Sequence, residues 1–529
     1  MTIVEKNSPY VLGIDLGTSN SAVSIYRKGT PHIIRLGKES TIPSVVSFRS
    51  EGDIQVGETA KRRILIDPEH TISFIKRETG TEWTKEFYGR YYRPEDISAE
   101  ILSKMKEYVM NQEEIDLKGT PAYAVICVPA NFDDNKKRAT REAAGLAGFH
   151  VTYLLEEPVA AAIAYGMETG RDQTIMVYDL GGGTFDVSIL KVDSVSEETQ
   201  AVFTILSKEG EPKLGGYDID RVIMKLVAED FKQKSKLDLL DLEADQGVAA
   251  ADLLEAQQKL QEACEQAKKE LSETDVTVLE IANVIKDEFG VIHHIEYELT
   301  REAFERAIDP LIEQTIHTMK KAIENAKLDI RDISRVILAG GSSRIPLVSQ
   351  KIKQLLNKEP YANIDPDTVV AQGAAIFGAS LGVPTDKLDE TNEVEQEDKP
   401  NAEIEMNNIV THHLGIEVRG GRFNPIIEKG IELTKEHPVV SMEKVYSTSE
   451  DDMTEMRISV FQTPEIVEYV SDQQCVCIGE FFLVGIPSAP KGTHRITVRF
   501  EVNQQNEVIV NAALNGAEEV TSQMTIQRD

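Results

Sequence analysis

Residues 12–26 read LGIDLGTSNSAVSIY, and residues 177–190 read VYDLGGGTFDVSIL. Both stretches run from an apolar strand through Asp, a Gly-rich turn and Thr into a second strand that contains VSI. Two unrelated hairpins with polar turns are the alternative, but Asp, Gly and Thr recur at matching offsets. The echo therefore favours a duplicated lobe.

Strand-like and helix-like stretches alternate through residues 1–383. Apolar runs at 11–18, 122–129, 174–184 and 333–341 predict buried strands that end in turn residues. Helical periodicity separates these runs, at 138–148, 158–167 and 253–272. The alternation predicts an α/β architecture of layered sheets and helices.

The composition changes after Pro384. Nine acidic residues and two lysines lie between residues 385 and 405, without an aromatic residue. We interpret residues 384–408 as a solvated acidic linker. From residue 409 the apolar period becomes two, as in RITVRFEV (495–502), which predicts an antiparallel β-sandwich over 409–529 with no helical lid behind it.

The charge of the chain excludes some classes of partner. The 529 residues include 57 Lys and Arg and 89 Asp and Glu, a formal net charge of −32. Nucleic acid and anionic membranes repel such a surface, so neither is expected as a main partner. No apolar run reaches the roughly 20 residues of a spanning helix, and MTIVEKNSPY (1–10) has no apolar signal region. Four cysteines are too few for a disulfide framework, so we expect a cytoplasmic protein.

The two Asp-Gly turns have the chemistry of a phosphate site. Glycine lacks a Cβ, so backbone N–H groups can approach an anion closely. The hydroxyls of Thr18 and Ser19 can donate to phosphate oxygens. A carboxylate among these donors, Asp15 in one turn and Asp179 in the other, suits a hydrated Mg²⁺ beside the phosphates. We expect the two turns to hold a nucleotide's phosphates from opposite sides.

Two further glycine turns are less specific. In LAGGSSRIP (338–346), glycine permits close packing of a flat base, and Arg344 can stack on that base. The alternative is an ordinary strand-to-helix turn with a capping serine. KLGGYDID (213–220) fits a phosphate loop or an ordinary turn equally well.

Together these motifs resemble the heat-shock 70-kDa chaperone family (DnaK type) of the actin-like ATPase superfamily. The matching strings, in family order, are GIDLGTSNS (13–21), FIKRETG (74–80), VPANF (128–132), EEPVAAAIAYG (156–166), YDLGGGTFD (178–186), KLGG (213–216), EACEQAKKELS (262–272) and GGSSRIP (340–346). The resemblance implies a two-lobed ATPase domain with duplicated ribonuclease-H-like lobes at 1–383, followed by a peptide-binding sandwich. It implies a stress-response chaperone that binds and releases unfolded polypeptide, coupled to slow Mg²⁺-dependent ATP hydrolysis.

The resemblance also implies roles for individual residues. Lys76 and Glu157 position the attacking water, and Thr184 touches the γ-phosphate. Asp15, Asp179, Glu157 and Asp186 are the metal set, for Mg²⁺ held through water and for K⁺. The residues that the resemblance implies as contacts of ATP or ADP are Gly17, Thr18, Ser19, Asn20, Gly181, Gly182, Gly183, Gly215, Gly216, Glu265, Lys268, Lys269, Ser272, Gly340, Gly341, Ser342, Arg344 and Asp367. Taken singly, Lys76 is typical of a surface lysine and Glu157 of a helix start; their co-occurrence favours the functional interpretation.

The sandwich and its connection carry the remaining implied roles. The groove walls are Ile416, Tyr446, Met456 and Ile458, the arch over the peptide is Arg419 and Ser449, and the interdomain relay is Pro129 and Lys137. An arch arginine can bond peptide carbonyls, favour acidic clients or point to solvent.

Two stretches depart from the family pattern. EIEMNNI (403–409) has only three apolar residues where the family has a run of leucine and valine, which predicts weaker interdomain docking. VTYLLEEP (151–158) lacks the basic residues that J-domain partners usually meet. Cooperation with a J-domain co-chaperone and a nucleotide exchange factor is therefore left open, and we expect a monomer.

Two other functions compete with the chaperone hypothesis. A small-molecule kinase of the same superfamily needs an acceptor site between the lobes and gives no reason for a sandwich. A nucleotide-switched scaffold need not keep Lys76, Glu157 and Thr184.

Overall fold

The computed structural model describes residues 7–526 except 65, 113–114, 131, 170–172, 196–199, 244–245, 362–363, 384–397, 401–402, 411, 435, 504–507 and 518. The chain divides into two compact units. The first comprises Met1–Phe132, Ala139–Ala201 and Lys208–Ile404, and the second comprises Asp133–Arg138, Val202–Ser207 and Glu405–Asp529. No helix among the described residues is long and apolar enough to cross a membrane.

The first sheet of the first unit has the order β11-β10-β1-β2-β3. The strands of this part of the chain are β1 Val11–Asp15, β2 Asn20–Arg27, β3 Thr30–Ile33, β4 Ile42–Pro43, β5 Val46–Ser50, β6 Asp53–Val56, β7 Thr71–Ile72, β8 Lys85–Phe87, β9 Arg90–Tyr92, β10 Tyr123–Val128 and β11 His150–Glu156. The helices are α1 Glu58–Arg63, α2 Pro94–Met110 and α3 Asp134–Leu146. Apolar side chains of β1, β2 and α2, such as Leu12, Val23 and Ile97, form its core.

The second sheet contains the consecutive strands β17-β12-β13. The strands here are β12 Gln173–Leu180, β13 Phe185–Val195, β14 Gln200–Glu211, β15 Val276–Lys286, β16 Ile292–Thr300 and β17 Arg335–Ala339. The helices are α4 Glu157–Thr169, α5 Gly216–Ser235, α6 Ala250–Glu273, α7 Arg301–Asn325, α8 Pro346–Leu356 and α9 Val369–Leu381.

The predicted duplication is present in both sheets. In the first, β1 is antiparallel to β2 and parallel to β10. In the second, β12 is antiparallel to β13 and parallel to β17. Each Asp-Gly turn thus joins two antiparallel strands at the end of a parallel-paired strand, so the two turns have the same local geometry.

Two helices rich in small residues lie between the sheets. α9 packs on β1, β2 and β10, whereas α4 packs on β12, β13 and β17, and the two helices pack on each other. At their crossing a Cβ on Gly373 would lie 1.7 Å from the Ala160 carbonyl oxygen. Glycine is therefore required at residue 373 for the two helices to approach this closely.

The second unit contains the predicted antiparallel sandwich. Its sheets have the orders β20-β19-β23-β24 and β22-β25-β26-β27. The strands from residue 403 onward are β18 Glu403–Ile409, β19 His413–Val418, β20 Arg422–Ile427, β21 Glu432–Leu433, β22 Val439–Ser447, β23 Glu455–Thr463, β24 Val476–Val484, β25 Arg495–Asn503, β26 Val508–Leu514 and β27 Thr521–Ile526. Ile496, Val498, Phe500 and Val502 are all buried, which confirms the period of two along β25.

The predicted acidic linker is not solvated throughout. Residues 384–397 and 401–402 lie outside the described residues, but Asp398 is buried, with 4% of its surface exposed. Its carboxylate accepts hydrogen bonds from Tyr10 Oη at 2.7 Å and from the Lys28 amide at 2.8 Å. These donors replace water, so the charge can be buried. Residues 403–409 form β18, and of their apolar residues Ile409 is buried.

Candidate nucleotide site

The two Asp-Gly turns line one cavity of 720 Å³ in the first unit. Asp15 and Asp179 both lie on its wall. The turns approach each other closely, since a Cβ on Gly182 would lie 2.0 Å from Ser19 Oγ. The volume is in the range of about 300–1,000 Å³ that is typical of cofactor sites. The facing arrangement predicted from the sequence is therefore present.

Most of the residues assigned to the nucleotide line this cavity. They are Gly17, Thr18, Ser19, Asn20, Gly181, Gly182, Thr184, Glu265, Lys268, Lys269, Ser272, Gly340, Gly341, Ser342, Arg344 and Asp367, together with Lys76 and Glu157. They come from the turns after β1 and β12, from the 3-10 helix Ile75–Glu78, from the start of α4, from α6, from the loop after β17 and from the segment before α9. The fold brings these separate parts of the sequence to one surface.

Three of the assigned glycines do not line the cavity. Gly216 N donates to the Gly181 carbonyl at 2.9 Å, and a Cβ on Gly215 would lie 2.5 Å from Gly183 N. The backbone of the KLGG stretch (213–216) therefore packs directly against the backbone of the second Asp-Gly turn. Gly183, Gly215 and Gly216 permit close backbone packing at this turn, and their expected contact with the nucleotide stays a prediction.

A buried ion pair lies on the cavity wall. Lys76 Nζ is 2.5 Å from Glu157 Oε1, and each side chain is 10% exposed. Burial by itself lowers the pKa of Lys76, but the Glu157 and Asp15 carboxylates outweigh it and raise that pKa. Lys76 is therefore a fixed positive charge inside the cavity at neutral pH.

The carboxylates around Lys76 repel one another. Burial, followed by the charge of Glu157, raises the pKa of Asp15 to about 7. Burial and the charges of Glu157, Asp186 and Asp15 raise the pKa of Asp179 well above its ordinary value. A bound cation relieves this repulsion, so the donor set fits a metal ion.

The spacing of the acidic side chains bears on how a metal ion would be held. Within the described ranges, no three Asp, Glu, His or Cys side chains are grouped so that they could ligate one ion directly. Mg²⁺ held through water by Asp15 and Asp179 stays a prediction. Asp186 differs from the other acidic residues: it is 2% exposed, does not line the cavity and lies opposite Asp179 in the β12–β13 ladder. Burial and then Glu157 raise its pKa to about 8.

Charged side chains also line the other end of the cavity. Glu265 of α6 is 3.2 Å from Lys61 Nζ of α1 and 2.6 Å from Lys269 Nζ. Burial pushes the pKa of Glu265 up, but the Lys61 and Lys269 ammonium groups outweigh burial and lower it to about 2. Lys268 Nζ is 2.7 Å from Asp220. The pairs with Lys61 of α1 and Asp220 of α5 hold α6 in place along the cavity.

Arg344 is held by two carboxylates. Its guanidinium is 2.5 Å from Asp365 and 2.9 Å from Asp367. The paired fork keeps the guanidinium plane in one orientation on the cavity wall. Stacking of Arg344 on a base stays a prediction.

The sequence analysis did not identify Arg77 or Lys61. Arg77 Nη2 donates to the Gly183 carbonyl at 2.9 Å and to Asp218 at 2.5 Å, so it ties the Lys76 segment to the second turn. The signal for Arg77 was its place beside Lys76 in FIKRETG. Lys61 has no such signal, because its partner Glu265 is remote in sequence.

The predicted peptide-binding residues lie in the second unit. Ile416 on β19 and Ile458 on β23 are buried in the sandwich core, and Tyr446 and Met456 pack against it. Tyr446 Oη donates to Asn424 Oδ1 at 2.8 Å. Arg419 and Ser449 are exposed. Of the predicted relay residues, Pro129 and Lys137 are both buried.

Comparison with known proteins identifies the family. The family model for Hsp70 protein matches residues 11–88 and 84–529. Chaperone protein DnaK of Thermotoga petrophila and that of Thermotoga maritima are each 38% identical over 509 residues, which is 95% of this chain and 78% of the relative. Chaperone protein DnaK of Thermosipho melanesiensis is 37% identical over 506 residues, again 95% and 78%. A match of this extent covers the ATPase cavity and the sandwich alike, and the chain therefore belongs to the Hsp70 family of ATP-dependent chaperones.

Proposed function

We propose that Lys76 and Glu157 are the centre of ATP hydrolysis in this chaperone, and that the sandwich binds extended polypeptide under the control of the nucleotide. The buried Lys76–Glu157 ion pair on the wall of the nucleotide cavity carries the proposal. Phosphoryl transfer to water needs positioning and charge stabilisation rather than a covalent nucleophile. An ammonium and a carboxylate 2.5 Å apart provide both.

The proposed steps use side chains of this chain. Lys76 holds the attacking water and offsets the charge of the γ-phosphate, while Glu157 fixes the direction of Lys76. Thr18, Ser19 and Thr184 donate hydroxyl hydrogen bonds to phosphate oxygens. Asp15 and Asp179 would hold Mg²⁺ through water, and the ion would supply neutralisation of phosphate charge. Glu265, Lys268, Ser272, Gly341 and Arg344 contact the adenosine.

A monovalent cation is part of the proposal. Asp15, Glu157, Asp179 and Asp186 place four carboxylates around Lys76. Burial and mutual repulsion raise the pKa of Asp15, Asp179 and Asp186, and a cation beside them would favour their ionised form. Mg²⁺ is proposed near Asp15 and Asp179, which leaves Asp186 without a cation. We assign K⁺ to a place near Asp15 and Asp186.

We assign ATP hydrolysis and peptide binding to separate domains of the chain. Residues 1–383 are the ATPase domain, 384–408 the connection and 409–529 the peptide-binding sandwich. Polypeptide would add main-chain hydrogen bonds beside Ile416, Tyr446, Met456 and Ile458, under Arg419 and Ser449. A cytoplasmic location, a monomeric state and cooperation with a J-domain protein or an exchange factor stay predictions from the resemblance.

The test is peptide dissociation from the full chain, measured with MgATP and with MgADP. We expect an unstructured apolar peptide to leave at least about fivefold faster with ATP, the lower end of ordinary coupling between sites. An equal release rate in the two nucleotides would overturn the coupling. Hydrolysis that requires a sugar or acid acceptor would instead favour the kinase alternative.

A further inference from the structure

A second buried ion pair lies next to the Lys76–Glu157 pair. The Glu156 carboxylate contacts Lys208 Nζ, and their side chains are 8% and 4% exposed. Glu156 is the last residue of β11, and Glu157 is the first residue of α4. Two consecutive glutamates therefore make two buried ion pairs with two different lysines.

The two pairs are attached to different elements. Lys76 lies on the short 3-10 helix Ile75–Glu78, and Lys208 lies on β14. Glu156 is also held in the first sheet, opposite Val128 of β10. The junction between β11 and α4 is thus fixed from the β10 side by backbone pairing and from the β14 side by Lys208.

The Glu156 charge would be unfavourable without Lys208. Glu157, Asp179 and Asp186 are buried nearby, so a further unpaired carboxylate adds to the excess of negative charge. Removal of one partner of a buried pair leaves an uncompensated charge, which is far more costly than replacement of both partners by neutral groups. An uncompensated Glu156 is therefore expected to displace the junction that carries Glu157.

A displacement of the junction matters because Glu157 is proposed to act by holding the Lys76 ammonium in one orientation. Its Oε1 must stay within hydrogen-bond reach of Lys76 Nζ, and the pair is only 2.5 Å long. A misplacement of about 1 Å in a catalytic group can lower a rate by roughly 100-fold.

We propose that Lys208 is a positioning residue for ATP hydrolysis: by holding Glu156 it fixes the β11–α4 junction, and with it the orientation of Glu157 toward Lys76. This inference rests on the role proposed above for Lys76 and Glu157. Lys208 touches neither nucleotide nor water in this scheme.

The test compares Lys208→Met with the double variant Glu156→Gln/Lys208→Met in the full chain. We expect Lys208→Met to lower single-turnover ATP hydrolysis by about tenfold, equivalent to about 1.4 kcal/mol of transition-state stabilisation, while the Kd for MgATP changes less than about threefold. The double variant carries no unpaired charge and should recover to within about threefold of the parent rate. Lys208→Arg keeps the charge and should also recover.

A matched control lies one residue further along β14. Lys321 Nζ is 3.1 Å from Glu209, which also accepts from Asn325 Nδ2 at 2.5 Å. Lys321→Met removes an ion pair from the same strand without touching the junction, so its hydrolysis rate should equal that of the parent.

The outcomes separate the two proposals. Parent-like hydrolysis by Lys208→Met, with an inactive Lys76→Ala, overturns the role of Lys208 alone. An active Lys76→Ala overturns the role of the Lys76–Glu157 pair itself. If Lys208→Met does not fold, Lys208→Arg and the double variant decide, and a tenfold loss in both would show that the native pair acts in some way other than charge compensation and would refute the proposal.

Discussion

The nucleotide cavity and the sandwich core bury their side chains in opposite ways. Around the cavity, Asp15, Glu157, Asp179 and Lys76 are withdrawn from water and act on one another's charges. In the described part of residues 409–526, the buried polar residues are Thr448, Ser459, Gln462 and Thr463, and no Asp, Glu, Lys or Arg is buried. The sandwich core is packed by apolar contacts, whereas the nucleotide cavity contains buried charges that a bound ligand can compensate.

This difference indicates that the sandwich core contributes to the free energy of folding and the nucleotide cavity to the free energy of ligand binding. Burial of apolar surface stabilises the sandwich whatever is bound to it. Carboxylates crowded into a cavity disfavour one another until a cation binds, so the cavity contributes to binding rather than to unliganded stability. Substitutions should therefore affect folding in the sandwich and turnover in the cavity.

The largest effect that would sharpen this comparison is on sandwich stability. Phe500 is fully buried on β25, whereas Phe482 on β24 is 47% exposed. We expect Phe500→Ala to lower the free energy of unfolding of the sandwich by about 3–5 kcal/mol, because it leaves a cavity. Phe482→Ala, as the matched control, should cost less than about 1 kcal/mol. Denaturant unfolding of the full chain measures both, with MgATP binding as the check on the first unit. Equal costs at the two positions would contradict the comparison.

The next effect is on turnover without loss of fold. Lys76→Ala should lower ATP hydrolysis by roughly 100-fold or more, the usual effect of removing one group that stabilises developing charge, while nucleotide binding is retained. Lys104→Ala is the control, since Lys104 pairs with Glu107 on α2 away from the cavity. Single-turnover hydrolysis and calorimetric binding give the two numbers. Normal turnover in Lys76→Ala would remove Lys76 from the mechanism.

The smallest effect is the pH dependence of the sandwich. Burial, followed by the Lys429 charge, lowers the pKa of His413 on β19, and the nearby Glu428 and Glu465 carboxylates offset this only in part. Since the unfolded chain then binds the proton more tightly, sandwich stability should fall as the pH drops below about 6.5. His413→Gln should flatten this dependence between pH 7.5 and 5.5, and His437→Gln, at an exposed position, should leave it unchanged. A slope that persists in His413→Gln would assign the dependence to another group.

Prediction from sequence succeeded where the information is local. The DLGT and DLGGGT turns, the helix over 253–272 and the alternation along RITVRFEV each depend on neighbours within a few residues. It was incomplete where a side chain's partner is remote. The buried Asp398 was assigned to a solvated linker, because nothing in the acidic stretch indicates that Tyr10 Oη and the Lys28 amide would donate hydrogen bonds to its carboxylate.

What the sequence by itself determined is the kind of chemistry: two Gly-rich turns with carboxylates, placed at the ends of buried strands, specify a phosphate and metal site. What only the tertiary structure decided is which charges meet. The packing of separate elements forms the ion pairs Lys61–Glu265, Arg77–Asp218 and Lys208–Glu156. The physical reason is that a charge's energy depends on its distance to every other charge and on its access to water, and folding sets both.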